Sequence, residues 1–179
     1  MFEIYGEFDS VEELNKAAEG LLNEGDTESL LQLAEENGLD PEDADDYIHG
    51  GSGQLASLFM AACGRIAVDE KENINQIKHP MEQMAMQTIV TVLKGMLTDD
   101  GVAAGVMRKG KRSTEIFREM KRQAEKHKSG NMGMCCGTDR ELQGILRAYY
   151  TQDTKAFAQA VENLYPKTAE PVKNKKVQK

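Results

Sequence analysis

Residues 9–50 read DSVEELNKAAEGLLNEGDTESLLQLAEENGLDPEDADDYIHG. Three helix starts and three stops lie in this stretch. Ser10-Val11-Glu12-Glu13 is a capping box: the Ser10 hydroxyl can take the Glu13 amide while the Glu13 carboxylate reaches back. Val11, Leu14, Ala17, Ala18, Leu21 and Leu22 then recur at helical steps and mark one buried face. Gly25 ends that helix near Asn23. Asp26 or Thr27 caps a second helix, with Leu30, Leu31, Leu33 and Ala34 inside and Gly38 as its stop. Asp40-Pro41-Glu42-Asp43 opens a third, with Pro at the first helical position and acids at the positive end of the helix dipole. His49-Gly50-Gly51 ends it. The expectation is a small acidic three-helix module over 1–50.

Outward from this stretch, residues 2–5 (FEIY) suit a short strand or a hydrophobic staple, and Gly50-Gly51-Ser52-Gly53 reads as a linker. Residues 54–70 form a helix rich in small residues. Pro80 opens another, running to Leu97, apolar around much of its circumference and expected at the centre of the core. Its methionines, Met81, Met84, Met86 and Met96, suit core filling better than an adaptable groove. Asp99-Asp100-Gly101 turns into a short helix through Val106. Ser113 or Thr114 caps the next helix, and residues 131–137 make a tight connection. Thr138-Asp139-Arg140-Glu141 is a second capping box, and Thr154 begins the last helix. From Pro166 the lysine-rich tail has no apolar period and reads as disordered. The fold class is therefore mainly α: the acidic module, a compact helical core domain over 51–165 with at most one short strand pair, and a basic tail over 166–179. The apolar helix at 81–97 can pack within one chain or across a dimer.

The chain has 179 residues, enough for a substantial core. Its net charge of −8 hides a split. Residues 1–50 carry sixteen acids and one basic residue, Lys16, whereas 51–179 carry fourteen acids and twenty-one basic residues. Two surfaces with different partners, or contact between the halves, would follow from such a division. No apolar run reaches the roughly 20 residues that span a bilayer. MFEIYGEFDS has neither the basic nor the apolar region of a signal peptide, so the expected address is the cytoplasm. Three cysteines, two of them adjacent (Cys135 and Cys136), argue for reduced thiols rather than a disulfide framework.

Chemical motifs are missing. There is no phosphate-binding GxxxxGK[ST] loop, no GxGxxG after a strand, no HExxH helix, and no EF-hand ligand pattern. Cys135 or Cys136 with His127 could form a nucleophile pair or part of a zinc site, but the spacing establishes neither. The expectation is a non-enzymatic interaction protein without cofactor or metal. Two surfaces stand out. Asp40, Glu42, Asp43, Asp45 and Asp46 are a dense set of carboxylates that can imitate a row of phosphates. Arg108, Lys109, Lys111, Arg112, Arg118, Lys121 and Arg122 are a basic set that can neutralise DNA or RNA phosphates.

The stretch from Ser113 to Asp153 resembles the PcfK-like proteins of Firmicutes conjugative elements, part of which are type II CRISPR nuclease inhibitors. The similarity rests on the basic helix end Lys121 to Lys128, the Gly-centred Cys turn Gly130 to Cys136, the acid-rich start Asp139 to Glu141, and Tyr149-Tyr150 before Asp153. The acidic N-terminal stretch is similar to modules in candidate anti-CRISPR proteins of mobile elements. What the resemblance implies is an anti-CRISPR protein that binds the RNA-guided type II nuclease with its guide RNA and blocks target DNA binding or cleavage. The alternative is a DNA-binding accessory protein of a conjugative element, acting through Arg108–Arg122.

Overall fold

The computed structural model describes residues 2–128 and 137–165. Of the connection expected over 131–137, residues 131–136, with Cys135 and Cys136, lie outside the described residues, as does the tail 166–179. Of the described residues, 70% are helical, and none forms a strand. The helices are α1 (Val11–Glu24), α2 (Thr27–Glu36), α3 (Pro41–Ile48), α4 (Leu58–Asp69), α5 (Pro80–Gly95), α6 (Asp100–Met107), α7 (Ser113–Lys126), α8 (Asp139–Thr151) and α9 (Thr154–Glu162). A π-helical turn, Glu70–Ile74, prolongs α4.

Local capping chemistry sets most of the helix starts. The side chains of Ser10, Asp26, Asp40, Ser57, Asp99, Thr138 and Asp153 each accept a first-turn amide. Thr138 and Glu141 complete their box. At Ser10 the box is half made: the Glu13 carboxylate takes the Asp9 amide at 2.9 Å instead. Gly25 stops α1 in the left-handed conformation, where its amide and that of Asp26 return to Leu22 and Leu21. Ser113 departs from expectation. It does not cap α7; its hydroxyl donates to the buried Asp69 carboxylate at 2.5 Å. Residues 2–5 form no strand. The amides of Ile4 and Tyr5 donate to the Glu36 carboxylate at 3.0 and 3.1 Å, which supplies the acceptor that a strand partner would have given.

Two apolar cores share a wall. One lies among α1–α3, around Leu14, Leu30, Leu33 and Tyr47. The other lies among α4–α9, around Met86, Leu93, Ile116, Ile145 and Leu146. The α4 helix borders both, with Ala61 in the first core and Ala62 and Ile66 in the second. So does α6, through Met107 on one side and Val102, Ala103 and Val106 on the other. The first core also takes in Leu55 and Ala56, just beyond the glycines. Asn15 of α1 fastens that segment, accepting the Ala56 amide at 3.0 Å and donating to its carbonyl at 2.9 Å. The chain after Gly50–Gly53 is thus stitched back onto α1. The α5 helix is only partly central. Met86 is fully buried, whereas Met81 and Met84 in its first turns are 63% and 55% exposed.

Small residues let these walls close. A Cβ on Gly64 of α4 would strike the Asn37 carbonyl at the end of α2, and one on Gly105 of α6 would strike the Tyr150 carbonyl of α8. Because the obstruction is backbone, no rotamer relieves it. Gly105→Ala and Gly64→Ala should each lower unfolding stability by about 2 kcal/mol or more. Gly20→Ala and Gly144→Ala, at helix positions with open space, should raise it by roughly 0.5–1 kcal/mol. Urea unfolding followed by circular dichroism reads all four.

Candidate functional site

The acidic face is built on short helices whose inner residues are apolar. Ala44 and Tyr47 of α3 are buried, which turns Glu42, Asp43, Asp45 and Asp46 outward. Asp40 caps the helix and accepts the Glu42 amide at 2.9 Å. Glu42 to Asp46 span about 6 Å of helix rise, so the four helical carboxylates recur every ~2 Å along the axis, near the ~1.7 Å charge spacing of duplex DNA. Fourteen of the sixteen acids before Gly51 are exposed; Glu7 and Glu36 are the two that are not. His49 Nδ1 lies 2.8 Å from the Asp45 carbonyl oxygen and 3.4 Å from Asp45 Oδ1.

The basic set is largely engaged inside the molecule. Arg112 binds Glu7 through both terminal nitrogens, at 2.7 and 3.0 Å. Lys111 donates to the Tyr149 carbonyl at 2.8 Å and lies over the Tyr149 ring. Burial, reinforced by the charge of Arg108, pulls the Lys111 pKa below its usual value. Lys109 Nζ stands 3.7 Å from Glu13. On α7, Arg118 pairs with Glu115, Arg122 with Glu119, and Lys121 with Glu82 of α5 at 2.8 Å. Arg108 is exposed. Lys111, Arg118 and Arg122 meet at the rim of one pocket of about 300 Å³, floored by Tyr149 and Phe157.

Sequence reading missed a charged hub between the halves. Arg65 of α4 is 4% exposed and binds the Glu7 carboxylate. It also donates to the Phe8 carbonyl at 2.8 Å and lies over the Phe2 ring. Asp69, one turn further along α4, accepts from Ser113 and from Asn73. The Arg112 amide donates to the Tyr149 hydroxyl at 3.1 Å. Glu7 thus bridges two arginines that lie 58 and 105 positions away. The one local signal was a charged i, i+4 pair, Arg65 and Asp69, in the otherwise apolar LFMAACGRIAVD.

Other candidates have less chemistry. A pocket of about 220 Å³ between α5, α7 and α8 is lined by Ile89, Phe117, Met120 and Leu142 among others, and none of its lining side chains is titratable. Burial pushes the Cys63 thiol up, away from nucleophilic range. Among the described residues no three His, Cys, Asp or Glu side chains are placed to share a metal ion. His127 stacks on Tyr165 at 4.4 Å. No described helix is long and apolar enough to cross a membrane.

The Glu7 carboxyl has an acid dependence of known sign. Burial alone would raise its pKa, but Arg112, Arg65 and the Gly110 amide together hold it below the usual 4.5. A carboxylate depressed in the fold stabilises at pH values above its unfolded pKa and loses that contribution as pH falls through the folded value. Glu7→Gln should therefore cost about 3 kcal/mol at pH 7, since it strands a buried guanidinium. Below about pH 4.5 the gap between wild type and variant should narrow, as read by urea unfolding at stepped pH.

No protein-family model matches the chain, and neither a curated protein nor a solved structure resembles it closely enough to count as a relative.

Proposed function

We propose that the protein is a non-enzymatic inhibitor that docks its acidic α1–α3 face on a basic nucleic-acid-binding surface of the RNA-guided type II CRISPR nuclease. The guide-loaded nuclease is the partner, and target DNA binding or cleavage is the step blocked. The observation that carries this reading is the outward row of carboxylates on α3, in a stretch, 1–50, that has one Lys or Arg, Lys16. Such nucleases read the PAM with arginines and hold the guide–target duplex in a positive channel. A compact anion row suits either surface, and long-range attraction would speed the encounter. The choice of this nuclease over other basic partners follows the resemblance of residues 113–153. DNA binding through Arg108–Arg122 has weaker support, because six of those seven side chains already sit in intramolecular contacts.

The test is cleavage of a linear target by nuclease and guide across a titration of the protein. Near-stoichiometric loss of cleavage is expected. The quadruple variant Glu42→Gln, Asp43→Asn, Asp45→Asn, Asp46→Asn keeps the Asp40 cap and should inhibit at least about tenfold more weakly, with unchanged helicity. Full inhibition by that folded variant would remove the acidic face from the mechanism. Absence of inhibition across several orthologues, with salt-sensitive DNA binding by the protein alone, would favour the accessory role.

A further inference from the structure

The leader, residues 2–9, ends in a contact of unusual composition. Two guanidiniums and a backbone amide converge on one carboxylate. Arg112 grips Glu7 with both nitrogens, Arg65 binds the same Oε1, and the Gly110 amide approaches Oε2 at 3.3 Å. The Lys109 amide beside it takes Asp9 Oδ1 at 2.8 Å. Forked guanidiniums with adjacent backbone amides are the donor set that proteins use for phosphate. Asp69, the buried acid beside Arg65, Lys111 and Arg112, has its oxygens engaged by Ser113 and Asn73. Glu7, whose carboxylate pairs with both arginines, lies in a segment without helix or strand. That segment also bonds to α2, through Glu36 and the Ser29 carbonyl, to Glu13 of α1 through the Asp9 amide, and to Arg65 through the Phe8 carbonyl.

We infer that Arg65, Arg112 and the Lys109–Gly110 amides form a phosphate-binding site that Glu7 and Asp9 of the leader occupy in the resting protein. The leader is a built-in competitor: its carboxylates stand where phosphate oxygens would, and displacing it uncovers the site. This site is independent of the nuclease reading and shares no residue with the carboxylate row of α3. Its ligand is a phosphate group, either free or in a polynucleotide backbone.

Glu7→Gln removes the competing charge and keeps the side chain's size. Thermal melts of wild type, E7Q and the double variant E7Q/R112Q would be compared in chloride and in about 10 mM inorganic phosphate at matched ionic strength. Phosphate should raise the Tm of E7Q saturably and restore most of what the substitution lost. It should leave wild type, whose site is closed, and E7Q/R112Q, whose fork is gone, unmoved. An equal rise in all three would be a general salt effect and would overturn the proposal, as would no rise in E7Q. If E7Q does not fold in chloride, its folding on addition of phosphate counts in favour, and failure in both salts counts against. A labelled single-stranded oligonucleotide then separates the sources. Binding by E7Q about tenfold tighter than wild type, falling with salt, assigns the backbone phosphate; phosphate rescue without that gain assigns the free anion.

Discussion

Glu7 holds the molecule together across its greatest sequence distances. Its carboxylate sits between Arg65 and Arg112, one on and one just beyond the two helices, α4 and α6, that both apolar cores share. Arg65 lies on α4; Arg112 follows α6 and opens α7. A buried arginine without a partner carries a desolvation penalty of several kcal/mol. Burial does depress the Arg65 pKa, and the charge of Glu7 is the chief opposing influence. The leader therefore cannot be a loose end in the folded state. Its position is fixed by two guanidiniums that would otherwise repel each other in a dry space.

With α4 and α6 so placed, the remaining packing follows from size. Gly64 allows the end of α2 to lie directly on α4, and Gly105 allows α6 to lie on the α8 backbone. Asp99 both caps α6 and receives Arg147 of α8 at 2.6 Å, so one carboxylate touches both helices. Among the described residues, no buried side-chain nitrogen or oxygen lacks a hydrogen-bond partner. That completeness explains how a polar hub can sit between two apolar cores without opening a path for water.

What could be read in advance was local. The caps at Ser10, Asp26, Asp40 and Thr138 act over three residues, and their sequence signature is also their mechanism. The mainly helical architecture followed from them. Ser113 misled because its hydroxyl had two uses, and a carboxylate 44 positions away claimed it. The glycine stretch at 50–53 looked like a linker because its composition says nothing of Asn15, which binds the chain just beyond it. The α5 methionines read as core filling, yet Met81 and Met84 in the first turns of that helix are exposed. The acidic set on α3 was legible as residues and as a helix. The basic set was legible only as residues, since its pairing with Glu7, Glu13 and Glu82 depends on the tertiary fold.

That pairing bears directly on the charge split. The carboxylates that meet the body's cations come from the leader, from Glu13 and from acids of the body itself. Among the described residues, no Lys or Arg ion pair of the body uses a carboxylate of α2 or α3. The basic half is thus paired largely with the leader, with Glu13 and with its own acids, while Glu42, Asp43, Asp45 and Asp46 stay exposed. Crowding carboxylates on an eight-residue helix works against the stability of that helix, through like-charge neighbours three and four positions apart. The favourable dipole at its first turn offsets only part of this. The module tolerates the strain because its inner face is held elsewhere, by Ala44 and Tyr47 in the core and by Asn15 at the joint. The row of carboxylates is thus carried by packing on the other side of the helix, which leaves Glu42, Asp43, Asp45 and Asp46 exposed to solvent.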